Sequence, residues 1–135
     1  MLMPSMRILV VEDEFLIAFD TEYVLRSSGY DVVGPVGSSE DALRLGAGVD
    51  IALVDVHLRD GETGPEVAAH LSQVHGVTVI FSTANPEIVA ADPNAIGALV
   101  KPVFAPDLLS AMEYAVALRS GRPATAPNCL KSLQA

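Results

Sequence analysis

Five short apolar runs, interleaved with amphipathic stretches, restrict this chain more than any other feature. They cover residues 8–11, 32–36, 51–54, 77–81 and 96–100. Each has the length of a strand, and most are rich in Val and Ile. Four are apolar almost throughout, the pattern of strands covered on both faces. The second is interrupted by Gly34 and Pro35, which places it at a sheet edge. The stretches between them read as helices. Residues 14–28 form the first, stopped by Gly29. Ser38 or Ser39 starts the second, with Ala42, Leu43 and Leu45 facing inward. Thr63 and Glu66 have the spacing of a capping box and open the third, in which Val67, Leu71 and Val74 share a face. Asn85-Pro86-Glu87 starts a fourth, cut short by Pro93. Pro106-Asp107 leads into the last, whose buried stripe is Leu108, Leu109, Met112, Ala115 and Val116. Five strand–helix units in strict alternation predict an α/β fold, a parallel sheet with helices on both faces.

The chain has 135 residues, enough for one domain. Residues 1–6 read as a short extension and 7–120 as the folded domain. Residues 121–135 are Pro- and Ala-rich without periodicity and read as a flexible tail, too short to be an output domain. Eight Lys and Arg stand against 17 Asp and Glu, a formal charge of −9. That balance disfavours nucleic acid and suits metal cations or a basic partner surface. No run approaches the roughly 20 apolar residues that a membrane span needs. The N-terminal residues lack the shape of a signal peptide, so the expected location is the cytoplasm. Cys129 is the one cysteine, which excludes an internal disulfide and a cysteine-based zinc site.

Four of the apolar runs end in polar residues of different kinds. The first ends in Glu12-Asp13-Glu14, the third in Asp55, the fourth in Ser82-Thr83 and the fifth in Lys101-Pro102. In an open parallel sheet, ligands bind beyond the carboxyl ends of the strands. The four groups therefore converge on one edge. Glu12, Asp13 and Asp55 within a few Å of each other would repel by roughly 4 kcal/mol per pair at an effective dielectric near 20. A divalent cation relieves that repulsion, and oxygen-only ligands favour Mg²⁺, Mn²⁺ or Ca²⁺ over zinc. Thr83 adds a hydroxyl and Lys101 a positive charge, a set suited to phosphoryl transfer. A carboxylate can act as nucleophile by forming an acyl phosphate, and Asp55 is the best placed.

Together these residues resemble the receiver domains of two-component response regulators. The resemblance spans about residues 7–119. It rests on Val11-Glu12-Asp13-Glu14, Leu53-Val54-Asp55-Val56-His57-Leu58, Asp60-Gly61-Glu62-Thr63-Gly64, Ser82-Thr83-Ala84 and Val100-Lys101-Pro102-Val103. Each motif is weak alone, but all occur in order at matching strand ends. The resemblance implies a flavodoxin-like (βα)5 fold with a five-stranded sheet of order 2-1-3-4-5. It implies that Asp55 accepts a phosphoryl group from a histidine kinase or a histidine phosphotransfer protein. Asp13, Asp55 and the backbone carbonyl of His57 would hold Mg²⁺, or Mn²⁺ in its place, with Glu12 helping. Thr83, Lys101 and the backbone N–H of Ala84 would contact the phosphoryl oxygens, and the Lys101-Pro102 bond would be cis. Such a protein is a phosphoacceptor rather than an enzyme in the usual sense.

The chain departs from the family pattern at Ala98, where many receivers carry an aromatic residue that swings inward on activation. Phe81-Ser82-Thr83-Ala84-Asn85 is similar to a Phe-x-Thr motif of an alphaproteobacterial subgroup, as is the opening Glu-Asp-Glu-Phe-Leu-Ile-Ala. His57 and Asn85 lie where a hydrolytic water would attack and are expected to tune the phosphate's lifetime. Phe15, Leu16, Ile17 and Phe19 are too many apolar residues for one buried stripe. They are either imperfect surface or a contact patch for a kinase or a second copy. The leading expectation is a single-domain regulator that signals by docking on a downstream protein or drains phosphate from a kinase. A degenerate receiver that binds a partner constitutively is the alternative. A metal-dependent phosphatase is a third reading, weakened because His57 stands where one such superfamily needs a second Asp.

Overall fold

β1 (Arg7–Val11) and β3 (Ile51–Asp55) lie side by side in the interior of the sheet, in parallel register from Ile8 opposite Ile51 to Val11 opposite Val54. The computed structural model describes residues 5–133. Around this pair run α1 (Phe15–Ser27), β2 (Asp31–Val36), α2 (Ser39–Leu45), α3 (Gly64–His75), β4 (Thr78–Thr83), a 3₁₀ turn (Pro86–Val89), β5 (Gly97–Val100), α4 (Ala105–Arg119) and β6 (Leu130–Lys131). The sheet order is β2-β1-β3-β4-β5-β6, with β2 at one edge.

Alternation along the strands explains why the runs are apolar throughout. Leu9, Val11, Ala52, Val54, Val79 and Phe81 point to one face, where α2 and α3 supply Ala42, Val67, Ala68 and Leu71. Ile8, Val10, Ile51, Leu53, Ile80 and Leu99 point to the other, against Leu25 of α1 and Leu108, Ala111, Met112 and Ala115 of α4. Both faces are covered, so no position on the central strands can be polar until the strand ends.

Four expectations change. First, the sheet has six strands. Leu130-Lys131 pairs antiparallel with β5, so this part of the expected tail joins the sheet. Leu130 and Leu133 drive it, each only 7% exposed, and two leucines in an aperiodic stretch gave no local signal. Second, the predicted fourth helix is only the 3₁₀ turn, leaving four α-helices among the described residues. Thr83 Oγ1 takes the Asn85 N–H, the Asn85 side chain makes no cap bond, and Ala91 turns to φ +66° before Pro93. Third, the capping box is not made. The Thr63 hydroxyl donates to Asp60 Oδ1 at 2.8 Å instead of capping α3. Fourth, the inner faces are narrower than the pattern suggested: Val74 is 62% exposed and Leu43 and Leu45 are partly exposed, while Ala42, Val67 and Leu71 are buried. Ser38 does cap α2, its Oγ accepting the Asp41 N–H at 3.2 Å. Among the described residues no helix is long and apolar enough to cross a membrane.

Candidate functional site

The carboxyl ends of β1, β3 and β5 bring Glu12, Asp13, Asp55 and Lys101 together. Glu12 is the first residue past β1, held by its N–H to the Val36 carbonyl at 2.8 Å. Asp55 ends β3, buried and opposite Ser82 of β4. Lys101 follows β5, and its N–H donates to the Thr83 carbonyl at 2.9 Å. Its ammonium reaches back between two carboxylates, 2.6 Å from Glu12 Oε1 and 2.9 Å from Asp55 Oδ2. The remaining oxygens are used as well. Glu12 Oε2 accepts the Glu14 N–H at 3.1 Å, and Asp55 Oδ1 accepts the His57 N–H at 3.3 Å. Asp13 is exposed at the rim, yet it can place an oxygen within 4.8 Å of oxygens of both Glu12 and Asp55.

Burial dominates the electrostatics. It pushes the Glu12 carboxyl up to about 7, against the opposing pull of the Lys101 hydrogen bond and the Glu14 N–H; the Asp55 charge adds to the rise. Lys101 is also partly buried, which disfavours its charge, but the hydrogen bonds it donates to Glu12 and Asp55 outweigh that and raise it above its ordinary value. The site thus holds three acidic groups against one ammonium. Three carboxylates with no sulfur or imidazole suit a hard divalent cation such as Mg²⁺, and such a cation would displace the proton that burial favours on Glu12.

The neighbouring loops shape the pocket. Thr83 ends β4, fully buried, and its Oγ1 accepts the Asn85 N–H at 3.0 Å. Ala84 and the His57 side chain are exposed beyond it. Lys101-Pro102 is cis. Behind Lys101 lies a cavity of about 230 Å³, lined by Glu12 and Ser82 and by Leu16, Ile17 and Leu108 of α1 and α4. Phe15, Leu16, Phe19 and Tyr23 extend from the site along the outside of α1, each more than 60% exposed. Phe15 and Phe19 stack, with ring centroids 6.1 Å apart.

This arrangement is similar to proteins already known. A family model described as "Response regulator receiver domain" matches residues 8–113. The chain belongs to the response regulator receiver family. The transcriptional regulatory protein PdtaR of Mycobacterium tuberculosis is 34% identical over 117 residues, covering 82% of this chain and 56% of that protein. The phyllosphere-induced regulator PhyR of Methylorubrum extorquens is 33% identical over 110 residues, covering 78% of this chain and 41% of PhyR. The chain therefore spans about half the length of these curated relatives. Among solved structures, the receiver domain of Erythrobacter litoralis PhyR superposes with a TM-score of 0.79 at 26% identity, covering 90% of this chain and 97% of that one. A CheY-like receiver from Methanospirillum hungatei gives 0.79 at 24% identity over 87% of this chain and 98% of that one, a likeness of fold. The receiver fold is flavodoxin-like, and membership places the chain in two-component signalling.

Two contributors were not singled out by sequence reasoning beyond their place in the Asp60–Gly64 motif. Asp60 accepts from the Ser39 N–H and, at 2.6 Å, from the Ser39 hydroxyl, tying the β3–α3 loop to the start of α2. Gly64 lets α3 start against the end of β3, because a Cβ there would run into the Asp55 carbonyl oxygen and come within 2.6 Å of Val56 Cα. Their signals, an Asp-Gly pair and a Gly before Pro65, read locally as turn residues only.

Proposed function

We propose that this chain is a receiver that takes a phosphoryl group on Asp55, in a reaction that needs a divalent cation, from a phosphohistidine donor on a histidine kinase or phosphotransfer protein. The observation that carries this reading is Asp55 itself: a buried carboxylate at a strand end, bonded to Lys101 and within reach of Glu12 and Asp13. In the transfer, a carboxylate oxygen of Asp55 forms a P–O bond as the donor's P–N bond breaks, and the proton needed by the departing imidazole comes from solvent. Asp13, Asp55 and the His57 carbonyl would hold Mg²⁺ or Mn²⁺, with Glu12 beside them. When bound, the cation would offset charge on the phosphoryl oxygens and on the crowded carboxylates. Lys101 is free to follow the new negative charge, because Asp55 gives up its carboxylate charge on phosphorylation while the phosphoryl group brings more. Thr83, now bonded to Asn85, and the Ala84 N–H would meet the phosphoryl oxygens. His57 and Asn85, both exposed, would set access of hydrolytic water.

The exposed apolar stripe of α1 begins two residues after Asp13 and supports docking of the phosphodonor there. Output would be phosphorylation-dependent binding to a downstream protein, or removal of phosphate from a kinase. Phosphorylation would bias a two-state element, and with Ala98 in place of an aromatic residue that element is the loop after β4.

Intact-mass spectrometry after incubation with acetyl phosphate tests the reading. A gain of one phosphoryl group that needs Mg²⁺ and is lost in Asp55→Asn supports it. No gain in the wild type would favour a degenerate receiver that binds its partner constitutively. Rapid donor consumption without an adduct would favour a hydrolase.

A further inference from the structure

The outer edge of β5 is covered by the chain's own residues 130–133. β5 would otherwise present a row of unpaired backbone groups, the kind of edge that accepts another strand. The covering segment is short. Only Leu130 and Lys131 pair, opposite Leu99 and Ala98. Two side chains grip the edge from opposite faces. Leu130 packs in the cluster of Leu99, Ile80, Leu108 and Met112. Leu133 packs in the cluster of Ala98, Val79 and Phe81. The receiving strand is shaped for this occupant: a Cβ at Gly97 would lie 2.6 Å from Leu130 Cγ and 2.9 Å from the Lys131 carbonyl oxygen. Residues 121–126, which lead to the segment, are exposed, and Pro127 accepts the Leu130 N–H to turn the chain onto the edge.

We propose that the β5 edge is a strand-accepting surface for an extended segment of a partner protein with two apolar side chains three residues apart, and that residues 130–133 close it in cis. The occupant already in place defines that partner's chemistry: main-chain pairing supplies affinity, and the two leucines supply selectivity by filling one pocket on each face of the sheet. A segment that pairs over two residues binds weakly on its own, and its hold comes from tethering, which makes the local concentration of a short flexible segment about millimolar. A longer strand from a partner pairs along all four residues of β5 and displaces it. The proposal needs no phosphoryl group and stands apart from the reading of Asp55.

The test uses the full chain and a synthetic peptide of residues 127–133 with Cys129→Ser. Amide chemical shifts of Gly97, Ala98 and Leu99 are followed by NMR in the wild type and in L130S/L133S. The proposal expects saturable peptide binding to the variant, about tenfold or more weaker binding to the wild type, where the tethered segment competes, and none by a peptide carrying both leucines as serine. Equal binding to both chains, or binding to neither, overturns it. So does a concentration-dependent dimer of the wild type that exchanges segments, which would assign the edge to a second copy. Hydrogen exchange on the wild type guards against misfolding of the variant. β5 amides that exchange faster than those of β3, and are slowed by added peptide, support a segment that detaches. β5 amides that open only with β3 overturn it.

Discussion

The Lys101 ammonium lies closer to Glu12 than to Asp55, at 2.6 Å against 2.9 Å. The cation that would be expected to serve Asp55 is shared, and burial raises the carboxyl of its nearer partner, Glu12.

Lys101→Met leaves Glu12 and Asp55 facing each other without a counter-charge. Removing one member of a fully buried pair costs about 3–5 kcal/mol, and solvent reaches part of this one, so the expected loss is about 2 kcal/mol at pH 8. At pH 5, where Glu12 carries a proton, the loss should shrink. Urea unfolding at both pH values measures it, and equal losses would show that the pair is not what Lys101 stabilises.

Glu12 should make the proposed metal binding depend on pH. Its carboxyl titrates near 7 in the metal-free fold, above its ordinary 4.5. The folded state therefore prefers the protonated acid. That contribution to stability is fully present below pH 4.5 and is lost as pH rises through about 7. A cation must displace the proton, so Mg²⁺ affinity should fall by about tenfold per pH unit below 7 and flatten above it. Titration calorimetry from pH 5.5 to 8.5 reads the slope, and Glu12→Gln should remove it.

Asp60 acts in the opposite direction. Hydrogen bonds from the Ser39 hydroxyl and N–H, then from Thr63, hold its carboxyl well below the usual carboxylate range. Its contribution is present above the unfolded value of 3.8 and lost as pH falls below it. Asp60→Ala should lower the melting temperature at pH 7, and the difference from the wild type should narrow, without vanishing, by pH 2.5. A constant difference across that range would contradict the assignment.

Gly64→Ala should be costly for its size. The added methyl meets the Asp55 carbonyl oxygen and Val56 Cα, and overpacking of this kind costs about 1–3 kcal/mol. The displaced Asp55 should also weaken Mg²⁺ binding, seen as a smaller metal-induced rise in melting temperature. A variant that keeps both properties would show that α3 can shift without moving β3.

Most of the sheet was legible because burial on both faces writes itself into short windows. The runs holding β1, β3 and β4 are apolar for that reason, and β2 at the edge carries Gly34-Pro35 for the converse one. Much of the site was legible too, since Glu12, Asp13, Asp55 and Lys101 each follow an apolar run and a parallel sheet brings such ends together. Where local signals misled, a competing partner had won. Thr63 bonds to Asp60 rather than to its own helix, and the Asn85 N–H is taken by Thr83.

The alternation of strand and helix, the converging strand ends and the excess of acid over base follow from residue order alone, because each depends on neighbours within a few positions or on a simple count. Packing between distant segments decided the rest. It moved the proton affinity of Glu12, since burial depends on what covers a side chain. It divided Lys101 between two carboxylates 89 and 46 positions earlier in the chain. It also drew Leu130 and Leu133 onto β5, where the missing side chain of Gly97 leaves the space that receives them.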